Sequence, residues 1–502
     1  MNKFYFTSIF FLISMVNAIL IVLDTLRQDH VGCYGNTWIK TPNLDKFAKE
    51  SVKFTRMYPD SLPTLPARKA MYTGNRVFPF TDDKLGKTKA GRGDFIADAL
   101  GAPGWSSISD SQDTLAERFR RKKYVSALFS DVYHQFKPGY NFNRGFRQWK
   151  WIRGQEEDAF LSGPRISEEI LKEYLTSEED GVSGGTVFAK YMMRNFLQNV
   201  RWWQSEADTF PAQVFRAAGE WLDMNYDALI QGKGFITAES FDPHEPWNPP
   251  LHYIRMYEKD PDWEKGCQKI SHSLYGPASI ISEKELKNLK TRYAAEVSLV
   301  DTWFGYFIDY IKRIGIWDDS IIVVVSDHGH MLGEHGLVGK AANPLGREVA
   351  DLVAMIRFPE GEGSGKTCDK FCYHHDIAAT ICKACGISTN NMDGKDLLKL
   401  VQDDGLTYYD HITTAWGGSV VVYDGDFWYN GYVWDTEEGS LFDVNKDPRL
   451  TNNIILNAPE KAKELLKLCW GDAKEPIDME FMRQFKDVLG CTPVTETLTK
   501  QD

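Results

Sequence analysis

Three places in this sequence set acids and imidazoles just after an apolar run. Asp24 and Thr25 close ILIVL, Asp242-Pro243-His244 follows FITAES, and Ser326-Asp327-His328-Gly329-His330 follows IIVVV. One aspartate after a strand is ordinarily a turn or cap residue. Three such ends, one of them reading SDHGH, predict a divalent-cation site where the strands finish. Carboxylate with imidazole and hydroxyl suits Zn or Mn and is compatible with Ca. The stretch SLPTLPARKAMYTG, residues 61–74, sets Thr64 at the start of a helix expected over 65–72. The first N–H groups of a helix favour an anion. A cation beside Thr64 would lower the pKa of its hydroxyl, and Arg68 would add positive charge. Taken alone, Thr64 reads equally well as an ordinary helix cap.

The elements that must position these residues are legible as apolar runs at 19–24, 124–129, 235–240, 321–326 and 352–357, which read as buried parallel strands. Helical patterns lie between them, the longest over 285–312. Strand–helix alternation predicts an α/β domain with a largely parallel sheet. In open sheets of this kind ligands bind beyond the carboxyl ends of the strands, where the three acid-and-imidazole groups fall. From about residue 408 the pattern changes. Runs at 411–416, 419–423, 426–432 and 440–444, joined by Gly and Asp turns, predict a small antiparallel sheet closed by a helix near 459–470. We therefore divide the chain into an α/β domain over 19–400 and a C-terminal α+β subdomain over 401–502. Residues 136–215, aromatic and charged, read as elaborated loops and helices.

The 502 residues carry a net charge of −12 and no long basic run, which argues against a nucleic-acid partner. The 15 Trp and 22 Tyr suit contacts to sugars or organic groups, although large buried side chains account for most of them. Cys368, Cys372, Cys382 and Cys385 have a spacing a zinc knot could use. The helical pattern around Cys382 and Cys385 favours buried free thiols instead. Residues 1–18 allow two readings. They resemble a signal peptide, giving a secreted or periplasmic protein. Alternatively translation starts at Met15, giving a cytoplasmic one. A transmembrane span is disfavoured, because one run would have to be both anchor and core strand.

Six ordered stretches resemble the sulfatase family of the alkaline phosphatase superfamily: DTLRQDHVGCYG (24–35), TPNLD (41–45), TLPAR with Thr73-Gly74 (64–74), DPHEPW (242–247), SDHGHMLGEHGLVGK (326–340) and LFDVNKDP (441–448). The resemblance implies an alkaline-phosphatase-like large mixed, mostly parallel sheet flanked by helices, with the small antiparallel sheet at the C-terminus. It also implies one divalent metal (Zn, Mn or Ca) held by Asp24, Asp327 and His328 with Thr64, and leaves room for a second through His330 or His244. Arg68 would hold the nucleophile. His244 and Lys340 would bind the departing anion or protonate the leaving oxygen. His134, Arg153, Gln155 and His335 are expected at the substrate, with Glu156 a further candidate in the wall formed by 133–146 and 149–158.

Two departures bear on the chemistry. Sulfatases carry Cys or Ser where Thr64 stands and oxidise it to formylglycine. Threonine is a secondary alcohol, so no such aldehyde forms, and a Thr64 ester must be cleaved by water. In DVYH (131–134) the family's Lys-Trp-His keeps its histidine as His134 and lacks the lysine. One cation fewer suits a singly charged phosphodiester or phosphonate ester better than a dianionic phosphate monoester. Thr25, where many relatives have an acid, favours a transition-type metal over Ca. The expectation is therefore a metal-dependent ester hydrolase with a Thr64 nucleophile, acting on a small-molecule or glycan anionic ester. Its rivals are a true sulfatase, a phospho-head-group transferase and a non-catalytic binding protein. Transferase relatives usually carry several N-terminal membrane spans, whereas no integral membrane domain is expected here. Nothing in the sequence sets an oligomeric state.

Overall fold

The computed structural model describes residues 15–81, 103–174, 183–263, 267, 269–270, 275–473 and 475–486. Residues 1–14, which carry most of the stretch weighed as a signal peptide, lie outside the described residues, as does Cys491. Asn17 and Ala18 already belong to the first strand. The Asn17 side chain donates to Leu229 O and accepts from Gly234 N.

Among the described residues the large sheet has eight strands: β1 (Asn17–Leu23), β2 (Val52–Phe54), β3 (Val125–Ser130), β4 (Gln148–Trp151), β5 (Gly234–Ser240), β6 (Ser320–Val325), β7 (Ala354–Arg357) and β8 (Thr367–Cys368). Their spatial order is β8-β2-β7-β6-β1-β5-β3-β4. β1 lies at the centre, parallel to both β5 and β6. Side chains of a strand alternate between faces, so Ile19, Ile21 and Leu23 enter one core and Ala18, Leu20 and Val22 the other. The first core is covered by helices α2 (Phe210–Met224) and α3 (Glu283–Arg313), the second by α1 (Thr64–Thr73) and α4 (His374–Ala384). Both faces being covered is why these strands read as unbroken apolar runs. α3 contains the expected 285–312 helix. Ser282 caps it by accepting from Glu285 N, and Lys312 and Arg313 fall in its last turn, against the negative end of its dipole.

One strand runs against expectation. β7, read from sequence as parallel, is antiparallel to both β6 and β2. The segment 326–353 leaves β6 at its carboxyl end, stays there, and re-enters the sheet from the same side. Re-entry from that side forces the reversed direction, and an apolar run reads the same either way. The stretch around Trp149, read as part of a loop, forms β4 at the sheet edge, parallel to β3.

A second, four-stranded antiparallel sheet comprises β9 (Ile412–Trp416), β10 (Ser419–Tyr423), β11 (Phe427–Tyr432) and β12 (Ser440–Asp443), packed on helix α5 (Pro459–Asp472). It touches the site region directly. Leu62 N donates to Ala415 O, and Ala415 N to Asp60 O, which stitches the segment ahead of Thr64 to β9. Cys368, Cys372, Cys382 and Cys385 are buried free thiols, and Cys385 Sγ donates to Val16 O. Among the described residues no helix is long and apolar enough to cross a membrane.

Candidate active site

β1 and β6 are neighbours, so the residues just after each of them meet at one end of the sheet. Asp24 comes directly after β1, Asp327 and His328 come after β6, and all three are fully buried. Each offers one ligand atom, and the three atoms lie within 4.8 Å of one another. His328 Nδ1 lies 3.1 Å from its neighbour's carbonyl, Gly329 O. That contact places the ring proton on Nδ1 and leaves the Nε2 lone pair facing Asp327 Oδ2 at 3.5 Å and Asp24 Oδ1 at 3.8 Å. Asp327 Oδ1 is fixed by Thr25 N at 3.0 Å and His328 N at 2.8 Å. The Thr25 hydroxyl donates to Asp24 Oδ1 at 2.7 Å.

Thr64 is the first residue of α1, and its Oγ1 lies 3.3 Å from His328 Nε2. Four residues later on the same helix, Arg68 returns to the same place. Its guanidinium donates to Thr64 O (3.1 Å), Asp327 Oδ2 (2.6 Å), Asp24 Oδ2 (3.0 Å) and Glu239 Oε2 (3.2 Å). Three buried carboxylates thus face one buried guanidinium. Burial and Asp327 hold the Asp24 carboxyl well above its usual range. Asp327, despite its burial, is pulled below its own by His328 and Arg68. Burial lowers His328 to about 4, so its ring is neutral and able to ligate at neutral pH. A carboxylate excess around a neutral imidazole nitrogen is a donor set that fits a divalent cation.

A second group adjoins the first. The His244 and His328 ring centroids are 6.4 Å apart. His244 Nδ1 is 2.7 Å from Glu245 O, and its Nε2 faces Lys340 Nζ at 2.6 Å. Lys340 also lies 3.4 Å from Glu245 Oε1, which accepts from Tyr275. Burial holds His244 well below its usual pKa and lowers His330, 3.5 Å from Glu245 Oε2, to about 3.

A model of the sulfatase family matches residues 16–387. The chain belongs to the sulfatase family. An N-acetylglucosamine-6-O-sulfatase of Bacteroides thetaiotaomicron is 24% identical over 523 aligned positions, covering 94% of this chain and 87% of that protein. An arylsulfatase of Clostridium perfringens is 24% identical, covering 88% of this chain and 90% of its own length. Among solved structures, the phosphonate monoester hydrolase of Agrobacterium radiobacter superimposes with a TM-score of 0.65 at 20% identity, covering 91% of this chain and 96% of its own. The fold is thus the one the motifs implied, and this sulfatase-family chain is an ester hydrolase.

The remaining expected residues of this sulfatase-family site divide. His134 is buried at its rim, with Nε2 3.5 Å from Glu156 Oε2. Gln155 instead donates to two buried carboxylates, Asp131 and Asp242, at 3.0 and 2.9 Å. Arg153 forks onto Asp158 and covers the Trp151 ring. His335 pairs with Glu348 at 3.1 Å. These three partnerships are with residues outside the Asp24–Asp327–His328 cluster. Two acids escaped the sequence reading. Glu239 sits inside β5 and accepts from Arg68, Tyr72, Ser130 and Gln135. Glu245 takes the Lys340 charge. The signal for Glu239 was a lone acid in a strand buried on both faces, which requires a cationic partner.

Gly329 explains the spacing in SDHGH. A Cβ there would lie 2.0 Å from Glu348 O, so the backbone between His328 and His330 must shift to admit one. Gly329→Ala is expected to lower kcat/KM by about tenfold or more through misplacement of His328. Steady-state kinetics beside a melting curve would check this.

Proposed function

We propose that the protein hydrolyses a singly charged phosphorus ester, a phosphodiester or phosphonate monoester, in two steps through Thr64. The observation that carries this reading is the Thr64 hydroxyl at the N-terminus of α1, 3.3 Å from His328 Nε2 beside Asp24 and Asp327. Asp24, Asp327 and His328 with Thr64 would hold one divalent cation. Bound there, it lowers the pKa of a hydroxyl and draws charge from the ester oxygens.

The chain's own residues do the rest. Arg68 fixes the first turn of α1 through Thr64 O and holds both aspartates in place. Thr64 Oγ1 gives up its proton to solvent, which returns it at the end of the cycle, and attacks phosphorus in line; the Oγ1–P bond forms as the bond to the leaving oxygen breaks. The Lys340–His244 pair gives its proton to that oxygen. Water then attacks the phosphorus of the Thr64 ester, the same pair takes the water's proton, and Thr64 Oγ1 leaves and is reprotonated. The second hydroxyl that a formylglycine hydrate uses for release is not needed on this route.

The charge balance supports a monoanion. Arg68 is matched by three carboxylates and Lys340 by Glu245, while burial keeps His134 and His244 neutral. Beyond the divalent cation itself, whose charge the two aspartates offset, a dianion would find no uncommitted cation among these side chains. The sulfatase relatives sustain a second reading, a true sulfuric ester hydrolase. A panel of aryl sulfate, phosphodiester, phosphonate monoester and phosphate monoester, run with metal analysis on the purified protein, separates the two. We expect the phosphodiester or phosphonate to give the highest kcat/KM. Highest activity on the sulfate would establish the second reading. Inertness across the panel, shared with Thr64→Ala while both bind ligand, would indicate a binding protein.

A further inference from the structure

Among the described residues a small three-stranded sheet, made of Gly276–Pro277, Leu337–Gly339 and Met331–Leu332, adjoins the site. One of its strands starts directly after His330, another ends directly before Lys340, and the third starts directly after Tyr275. Val338 pairs with Gly276 in antiparallel register, which sets Tyr275 beside Gly339. Gly339 has φ 92, and a Cβ there would lie 2.5 Å from the Tyr275 ring. The ring therefore rests on bare backbone one residue before Lys340.

Tyr275 meets the Lys340 ammonium in two ways. Its hydroxyl donates to Glu245 Oε1, the same oxygen that faces Lys340 Nζ at 3.4 Å. Its ring lies beneath that ammonium, with Nζ 5.4 Å from the ring centroid, close enough for a cation–π contact. The 3.4 Å separation exceeds the length of an N–H···O hydrogen bond, about 2.7–3.2 Å. The phenol thus occupies the carboxylate oxygen, and Lys340 Nζ sits instead 2.6 Å from His244 Nε2. We propose that Tyr275 is a positioning residue that keeps Lys340 off Glu245 and on His244, in reach of the leaving oxygen. The inference rests on the proton donation by the Lys340–His244 pair proposed above.

Removing the hydroxyl leaves Glu245 Oε1 to Lys340 alone. An ammonium–carboxylate hydrogen bond is short and strong, so the ammonium is drawn to Glu245 and away from the departing oxygen. Removing the ring as well takes away the surface beneath Nζ. The loss falls on the step that needs a proton. An unactivated alcohol must be protonated as its bond to the anion breaks, whereas an acidic one, such as a nitrophenol, departs as its own anion. Tyr275 therefore sets how poor a leaving group the site accepts, which is a limit on the alcohol side of the ester.

The test is kcat/KM of the metal-loaded enzyme on the nitrophenyl and phenyl esters of whichever panel anion it handles fastest. The proteins are wild type, Tyr275→Phe, Tyr275→Leu, Lys340→Ala and the double variant Lys340→Ala with Tyr275→Leu. Tyr275→Phe should lose about tenfold on the phenyl ester and less than about threefold on the nitrophenyl ester. Tyr275→Leu should lose about a hundredfold on the phenyl ester, again with a smaller loss on the nitrophenyl ester. The ratio between two esters on one preparation cancels any loss of folded protein, so a merely structural role would not move it. In the Lys340→Ala background Tyr275→Leu should add less than about threefold on the phenyl ester, because no ammonium remains to be placed. Equal losses on the two esters in the Tyr275 variants, or an undiminished loss in the Lys340→Ala background, would overturn the proposal while leaving the proton donor in place. Equal losses in Lys340→Ala itself would overturn both. Neither outcome depends on whether the preferred anion is a sulfate or a phosphorus ester.

Discussion

Thr64→Ala is expected to lose about a thousandfold or more of kcat/KM while melting within a few degrees of wild type. The size of the loss comes from the role: without Oγ1 no ester to the protein can form, and what remains is binding and electrostatics alone. The small stability cost comes from the local structure. Thr64 is the first helical residue rather than the cap. Pro63 precedes it, and Ala67 N reaches Pro63 O at 3.1 Å without help from the threonine side chain. Thr64→Ser should retain measurable turnover, because a hydroxyl at the same place is what the chemistry needs. Equal activity in Thr64→Ala and wild type would remove Thr64 from the reaction.

Arg68→Ala is expected to be the most destabilising change in the site. It leaves Asp24, Asp327 and Glu239 buried together without the guanidinium that contacts all three. Breaking a buried ion network from one side costs about 3–5 kcal/mol, because the stranded charges stay desolvated. Adding Zn or Mn should raise the Tm of Arg68→Ala more than that of wild type, since the cation then supplies charge the variant lacks. Arg68→Lys should recover only part of the loss, because an ammonium is a point charge and cannot fork to three carboxylates and Thr64 O at once. Thermal melts of the three proteins with and without added cation would check this. A Tm for Arg68→Ala equal to wild type in chelator would contradict it.

The parts of this site legible in the sequence are those that sit where regular elements stop. Asp24 and the SDHGH group come after apolar strands, and the parallel pairing of β1 with β6 needs no more than that to bring them together. Thr64 and Arg68 were legible as a helix start and a residue one turn on. Less legible were features set by direction and by depth. The reversed course of β7 depends on where the chain re-enters the sheet, which an apolar run does not encode. The aromatic, charged β4 is an edge strand, so its side chains are not held to the apolar code that marks its neighbours. Arg153 and Gln155 were expected at the substrate because they fall in the stretch read as its wall. Their partners, Asp158, Asp131 and Asp242, are brought to them by the fold and hold the loop that presents Glu156. Glu239 was hidden by the strand that carries it, since its meaning depends on Arg68 arriving from another element.

The most direct measurement is rapid acid quench of the metal-loaded enzyme during its first turnover, with mass spectrometry of the peptide bearing Thr64. The expected result is a substrate-dependent phosphoryl-type adduct on Thr64 that rises and decays with turnover and is absent from Thr64→Ala. Full-rate turnover with that peptide unmodified at every quench time would contradict a Thr64 nucleophile.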